Sequence, residues 1–150
     1  MRRLAALGLL VALAGCGIRP TGVVDAGGPA AGIARGPRLF FFQDGRLVSQ
    51  VRPTGRLGEL SDSVIELLKG PPAGMTTELP GRLRFVSADD GDGAGVVVRF
   101  TGVSRLPEGA LRQIACTVSD RFAATNSGNV PYGVIVVLGA RRLPSLSCRS

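Results

Sequence analysis

Histidine is absent from this 150-residue chain. The chain therefore contains no Ser-His-Asp or Cys-His catalytic set and no histidine-based zinc site. Tryptophan is also absent, tyrosine occurs once, and Lys69 is the only lysine among 18 basic residues. Because no basic stripe is interleaved with aromatic side chains, the net charge of +7 does not predict a nucleic-acid partner. A basic surface of this kind favours an anionic membrane or cell-wall polymer as its neighbour.

The first sixteen residues have the pattern of an export signal. Arg2 and Arg3 precede an apolar run over 4–13 that is too short to cross a bilayer as a helix. The small residues before Cys16 resemble the lipobox of bacterial lipoproteins, in which this cysteine receives a diacylglyceryl group. An ordinary signal peptide followed by a chance cysteine is the alternative. We expect a signal peptide over 1–15, a palmitate-type lipid anchor on Cys16, and a protein held on the outer face of the cytoplasmic membrane.

Glycine and proline dominate the segment that follows the predicted lipidation site, and apolar periodicity is missing from it. This composition predicts a flexible linker, with the lipidated cysteine, over 16–37, and a reach of roughly 25 Å from the membrane. The expected folded domain then covers 38–139, and a C-terminal tail covers 140–150.

Apolar periodicity predicts seven elements in the order ββαββαβ. Two strands, over 38–43 and 46–51, flank an Asp44-Gly45 hairpin turn. The other expected elements are a helix that starts between 58 and 62 and ends before Gly70, a helix over 108–122, and strands over 83–87, 95–101 and 130–138. This order predicts a single α+β domain, with both helices packed on one face of a mainly antiparallel sheet.

The first and last strands carry apolar residues on both faces. A two-layer fold leaves one face of the sheet exposed to solvent, and that face is normally polar. Either these strands are central or covered by the linker and the tail, or the second face is an exposed patch for a protein partner. The sequence leaves both alternatives open, and Phe41 is the candidate contact residue on that face.

A glycine and two prolines, Gly70, Pro71 and Pro72, end the first helix. Glycine accepts a left-handed backbone at a helix C-terminus, and proline prevents a further turn. A helix stop is one interpretation, and a contact loop that extends to residue 80 is the other. The candidate partner-binding residues are Gly70, Pro71, Pro72, Gly74, Met75 and Pro80, together with Phe41.

Two cysteines, Cys116 and Cys148, remain after the predicted lipidation. On a helical wheel Cys116 lies on the polar side of the second helix, with Gln113 and Asp120. An exposed free thiol outside the cell is a liability, so we expect a disulfide between the two cysteines. Two free thiols are the alternative, although no C-x-x-C spacing supports redox activity.

Acidic residues cluster only at Asp89, Asp90 and Asp92. Their spacing lacks the pattern and the closing glutamate of a calcium loop, so a solvated hairpin tip is expected. Glu66 and Glu78 flank the glycine-proline loop, but nothing in the sequence sets the separation that a glycosidase carboxylate pair requires. We expect no catalytic residues, no metal and no cofactor.

Several segments in order resemble the GerMN domain. They are Leu39-Phe40-Phe41-Phe42, Gly45 to Val48, Val51-Arg52-Pro53, Leu67-Leu68-Lys69-Gly70-Pro71, Gly74-Met75, Glu78-Leu79-Pro80, Leu111 to Thr117 and Val134 to Leu138. A lipobox before a single domain of this kind is similar to small lipoproteins of actinobacteria. The resemblance implies a non-enzymatic binding module of the cell envelope, found in a sporulation and germination protein and in a lipoprotein that works beside a sensor kinase. We expect one copy of the domain here and no β-propeller after it.

Together these observations predict an extracytoplasmic lipoprotein whose GerMN-like domain is a non-catalytic protein-interaction module. Its expected partners are the membrane, through Cys16, and an envelope or membrane protein. A cell-wall polymer is a further expected partner, and nucleic acid is not expected. The alternative function is binding of a small ligand or a wall glycan, in a pocket lined by Tyr132 and the Met75 loop.

Overall fold

The computed structural model describes residues 36–53, 58–91, 95–126 and 133–148. The predicted signal peptide, Cys16, most of the predicted linker, Asp92 and Tyr132 lie outside the described residues. The described part is α+β, with two helices and two mainly antiparallel sheets. Its elements are β1 (Arg38–Gln43), β2 (Arg46–Val51), α1 (Leu60–Leu68), β3 (Arg84–Asp90), β4 (Val96–Thr101), α2 (Glu108–Thr125), β5 (Val134–Leu138) and β6 (Arg141–Arg142).

The strands form two sheets, whereas the sequence predicted one. β1 and β2 make a two-stranded sheet, and the other strands make a four-stranded sheet in the order β3-β4-β5-β6. The edge of β1 that faces away from β2 contacts a loop residue: Phe42 and Thr76 exchange backbone hydrogen bonds of 2.9 and 2.8 Å. The order of elements along a chain does not specify which strand edges meet, so this division was not visible in the sequence.

The first hairpin has the expected turn. Asp44 and Gly45 both have positive φ angles, 51° and 75°, as a two-residue type I′ hairpin turn requires. Gln43 faces Arg46 and Phe42 faces Leu47 across the turn. The Asp-Gly pair therefore sets the register of β1 against β2.

Strand β5 is parallel to β4, and helix α2 makes the crossover between them. A parallel pair requires such a crossover, and strands in this setting are buried on both faces. Val134, Val136 and Leu138 belong to the main core, while Ile135 and Val137 form a second cluster with Val97 on the other face. All three members of that second cluster are at most 7 % exposed. The alternative of an exposed apolar face is therefore wrong for β5, whose two faces are both buried.

Several element bounds differ from the expected ones. Asp89 and Asp90 lie in β3, paired with Val97 and Val96, and are not residues of a hairpin tip. α2 continues to Thr125, and the described part of the last strand begins at Val134.

Helix α2 is buried around almost its whole circumference, which corrects the placement of Cys116 on a polar side. Cys116 is 1 % exposed, and the polar residues Gln113 and Thr117 are fully buried. Its apolar residues Ile114 and Val118 join the main core. A helical wheel separates polar from apolar residues, but it does not show that buried polar groups receive partners from other elements.

The C-terminal tail is part of the fold. β6 pairs with β5, and Leu146 exchanges backbone hydrogen bonds of 2.7 and 2.8 Å with Val134. A disulfide then joins Cys148 to Cys116, the pair that the sequence predicts. Closing a chain segment with a sequence separation of 32 residues stabilises the folded state by about 3–4 kcal/mol in the loop-entropy description.

Candidate functional site

The candidate site is the contact loop, residues 70–80, together with the groups that fasten it. Helix α1 ends at Leu68, Lys69 is its C-cap residue, and the contact loop follows. Gly70 has a φ of +96°, so the predicted left-handed exit from the helix is present. Pro71 and Pro72 then prevent a further helical turn. Local sequence alone explains this exit.

Arg52 fastens the start of the contact loop from the side of the hairpin. Its guanidinium donates to the backbone oxygens of Glu66, at 3.0 Å, and Gly70, at 2.6 Å. These carbonyls lie at the C-terminal end of α1, where the helix dipole favours a cation. The same guanidinium lies 6.0 Å from the centre of the Phe41 ring. A residue from the end of β2 therefore caps the helix and holds the loop at Gly70.

Glu66 forms an ion cluster with Arg52 and Lys69 at the end of α1. Its carboxylate accepts a hydrogen bond from the Lys69 ammonium and lies 3.5 Å from Arg52 Nη1. The hydrogen bond from Lys69, aided by the charges of both cations, lowers the pKa of Glu66 below its ordinary value of 4.5, against an opposing effect of burial. The side chain is 15 % exposed, so this charged group is held at the protein surface with fixed partners.

Gln113 fastens the other end of the contact loop. Its side-chain oxygen accepts hydrogen bonds from the Thr77 hydroxyl, at 3.1 Å, and the Glu78 backbone N–H, at 2.9 Å. Its side-chain nitrogen donates to the Phe40 carbonyl at 3.0 Å. One fully buried side chain of α2 thus ties the loop to β1. One turn further along α2, the Thr117 hydroxyl oxygen accepts the Phe40 N–H at 3.2 Å.

The outer side of the contact loop faces solvent. Pro72, Ala73 and Gly74 are exposed, as are Thr76 and Glu78. In contrast, Met75 and Leu79 point inward and pack against the main core. The loop therefore presents a small, weakly polar tip while its backbone is held from beneath.

An apolar groove of about 320 Å³ lies beside the contact loop. Residues of α1, the loop and the start of β3 line it: Leu67, Leu68, Gly70, Thr77, Leu79, Pro80, Gly81, Leu83, Arg84 and Phe85. Its volume lies at the lower end of the range for ligand pockets and is sufficient for one large side chain.

The structure brings together six of the seven predicted partner-binding residues and excludes one. Gly70, Pro71, Pro72, Gly74, Met75 and Pro80 all lie in the contact loop. Phe41 is fully buried in the main core, so it presents no side-chain surface to a partner. Its proposed contact role is wrong, because both helices contact β1 and place Leu39 and Phe41 in the main core.

Sequence reasoning missed Arg52 and Gln113, the two residues that position the loop. Arg52 precedes a proline at a strand end, a place with no distinctive pattern. The helical wheel places Gln113 on the polar side of α2. One sequence signal indicated that Gln113 is buried: the apolar residues Ile114, Ala115 and Val118 follow it closely.

The two glutamates that flank the loop have separate surroundings. Glu66 belongs to the ion cluster with Arg52 and Lys69, whereas the Glu78 carboxylate lies against Gly109 at the start of α2. A carboxylate at a helix N-terminus is stabilised by the helix dipole. In the described ranges no group of three or more Cys, Asp or Glu side chains is arranged to hold a metal ion.

A larger cavity, of about 470 Å³, lies between α2 and the C-terminal tail. Glu108, Leu111, Arg112 and Ala115 line it from the helix, and residues 145–147 line it from the tail. The disulfide attaches the tail at Cys148, next to this cavity. The predicted ligand pocket around Tyr132 falls outside the described residues.

The chain matches no protein family model, no curated protein and no solved structure. Among the helices of the described part, neither is long and apolar enough to cross a membrane.

Proposed function

We propose that this chain is an extracytoplasmic lipoprotein whose folded domain is a non-catalytic protein-interaction module of the cell envelope. The observation that carries the proposal is the contact loop, which is fastened by Arg52 and Gln113 and still presents Pro72, Ala73 and Gly74 to solvent. A loop that is already ordered loses little conformational entropy when a partner binds. Such loops on a stable scaffold are common positions for recognition.

The groove beside the loop supports a protein partner in particular. Leu68, Leu79 and Phe85, which are all partly exposed, give it an apolar wall, and its volume suits one anchoring side chain from a partner. A small exposed tip next to a side-chain-sized groove is a typical arrangement for contact with another protein. The resemblance of 38–139 to the GerMN domain points to the same class of function.

Lipidation of Cys16 supplies the location in this proposal. The lipobox-like end of the leader predicts a diacylated N-terminus, and two acyl chains make a lasting anchor. The glycine- and proline-rich linker over 16–37 then gives the domain the reach to meet a neighbouring membrane protein.

A photocrosslinking amino acid at Ala73 in the full chain tests the interaction. We expect a covalent adduct of defined mass with one envelope protein, and no adduct from the exposed control position Asn126. Pro72→Asp, which changes an exposed residue, is expected to reduce the Ala73 adduct while leaving thermal unfolding unchanged. Equal adduct yields from Ala73 and Asn126 would contradict a specific contact at the loop.

Mass spectrometry of the mature protein tests the anchor. We expect a chain that begins at Cys16 and carries a thioether-linked diacylglycerol, and we expect Cys16→Ser to appear in the medium. A secreted wild-type chain with an unmodified cysteine would remove the membrane location from the proposal.

The cavity between α2 and the tail favours a second candidate function, binding of a small ligand or a wall glycan. Its volume of about 470 Å³ lies in the range of small-molecule sites, and Glu108 and Arg112 add polar groups to apolar Leu111 and Leu146. Titration with a soluble wall disaccharide, followed by NMR, should shift the amide signals of 108–115 and 145–147 under this candidate. Unchanged signals at millimolar disaccharide would exclude it.

A further inference from the structure

The free edge of β3 is the feature on which the inference depends. β3 is the first strand of the four-stranded sheet and, within the described residues, its only strand neighbour is β4. An edge strand presents unpaired backbone N–H and C=O groups to solvent. β3 is seven residues long and contains neither proline nor lysine, while its charged residues and a β-bulge restrict which strand can pair with it.

Val86 lies exposed in the middle of this edge. The pairing with β4 is irregular between Phe85 and Ser87, which places Val86 in a bulge. Val86 is 56 % exposed, more than Val51 and Ile65, the other large apolar side chains that are exposed in the described part. An exposed apolar residue on an unpaired strand edge is a candidate contact.

The charges of β3 are arranged in opposite signs at its two ends. Arg84 is the first residue of β3, with Arg82 two positions before it, and Asp89 and Asp90 stand at the end; all four are exposed. When two copies of one strand pair in antiparallel orientation, the start of each meets the end of the other. β3 is therefore complementary in charge to a second copy of itself.

In an antiparallel pair of strands, directly opposed side chains must lie on the same face of the sheet. The register of β3 with β4 shows which face each residue of β3 occupies. Phe85 and Ala88 pair with Phe100 and Val98, on the core face. Arg84 and Asp89 pair with Thr101 and Val97, on the opposite face.

A two-fold axis between Val86 and Ser87 places Arg84 opposite Asp89 of the second copy, and Phe85 opposite Ala88 of the second copy. Both pairs join residues of the same face, as cross-strand neighbours must. The bulge is what makes this agreement possible, because it shifts the alternation of β3 by one residue at its centre.

We infer that β3 is a self-association edge through which two copies of this chain form an antiparallel β3–β3 pair. The two four-stranded sheets then become one continuous sheet, with two symmetric Arg84–Asp89 contacts across the two-fold axis. In the single chain, Arg84 donates to the Gly81 and Leu83 carbonyls, and Asp89 accepts a hydrogen bond from the Ser87 hydroxyl at 2.9 Å. These local bonds leave further guanidinium N–H groups and carboxylate lone pairs for the second copy.

Cysteine crosslinking in whole cells tests the register. Cα atoms of directly opposed residues lie about 4.5–5.5 Å apart, within disulfide range, whereas positions 84 and 89 of one strand lie roughly 15 Å apart. Arg84→Cys and Asp89→Cys, made as separately tagged full chains and coexpressed, should give a mixed disulfide dimer on oxidation. Either variant alone should not, because the two equivalent positions are far apart in this register.

Charge reversal distinguishes the β3–β3 pair from association through any other surface of the chain. Arg84→Asp and Asp89→Arg should each weaken association of the purified full chain at least about fivefold in sedimentation equilibrium, since each puts like charges opposite each other twice. The double variant restores both contacts and should recover the wild-type value.

Three results would overturn the inference. The first is a monomer at all concentrations up to about 0.3 mM, together with no mixed dimer in cells. The second is a dimer that neither charge reversal weakens. The third is a crosslink from position 84 only to a different protein, which would assign this edge to an extended segment of a partner and not to a second copy.

Discussion

The side-chain oxygen of Gln113 accepts the backbone N–H of Glu78 at 2.9 Å, although the two residues are 35 positions apart in the chain. Through the same side chain, α2 holds the Thr77 hydroxyl and the Phe40 carbonyl. A single buried amide therefore joins the contact loop, α2 and β1. The shape of the loop depends on this tertiary contact as much as on its own glycines and prolines.

Replacement of Gln113 by leucine should loosen the loop and destabilise the fold. The change removes the hydrogen-bond partners of the part-buried Glu78 N–H and Phe40 carbonyl, so we expect a loss of about 1–3 kcal/mol in the free energy of unfolding. Urea unfolding measures the loss, and hydrogen exchange at Glu78 should become faster. Gln43→Leu, at an exposed position of β1, is the control and should change stability by less than about 0.5 kcal/mol. Unaltered exchange at Glu78 would contradict this role.

Phe41→Ala should act on stability and not on a contact surface. The ring is fully buried beneath Arg52, and its loss leaves a cavity that costs about 3–5 kcal/mol. Thermal unfolding measures the effect. Ile65→Ala, which removes an exposed apolar side chain from α1, is the matched control and should change stability by less than about 1 kcal/mol. A Phe41 variant with wild-type stability would show that the ring is not a core residue.

Gly70→Ala should destabilise the exit of α1 because of backbone conformation alone. No atom lies within 4 Å of a Cβ at this position, but the φ of +96° is unfavourable for alanine and costs about 1–2 kcal/mol. Gly81 also has open space around it and lacks a positive φ, so Gly81→Ala tests the steric effect without the conformational one. We expect that control to lie within about 0.5 kcal/mol of the wild type. Equal effects of the two substitutions would argue against a left-handed Gly70.

Stability should fall at acid pH partly because of Glu66. The pKa of Glu66 is lowered in the folded state, mainly by the hydrogen bond from Lys69, so the carboxylate binds protons more weakly in the folded chain than in the unfolded chain. Its stabilising contribution is therefore complete above the ordinary value of 4.5 and is lost as the pH falls through the lower folded value. The free energy of unfolding, measured by urea at a series of pH values, should decline less steeply below that point in Glu66→Gln than in the wild type.

A second variant identifies the cause of the lowered Glu66 pKa. Lys69→Ala removes the largest contribution and should make the acid decline shallower, towards that of Glu66→Gln. If Lys69→Ala keeps the full wild-type decline, Arg52 and not Lys69 is the dominant partner of the carboxylate.

The local features of this protein follow from its sequence. Asp44-Gly45 specifies a tight hairpin, and Gly70 with Pro71 specifies the end of α1, because each depends only on the backbone preferences of a few adjacent residues. Apolar periodicity likewise predicts a helix that ends before Gly70 and a second helix over 108–122, and apolar residues of both helices do enter the core. The order of the first seven elements follows from the same patterns.

The tertiary structure decided which groups meet. Whether the strands form one sheet or two, whether Phe41 and Cys116 face solvent, and which side chains fasten the contact loop all depend on contacts between segments far apart in the chain. Gln113 illustrates the reason. An amide on a helix prefers water unless distant backbone groups satisfy it, and the 36 positions that separate it from Thr77 contain no local signal that they will do so.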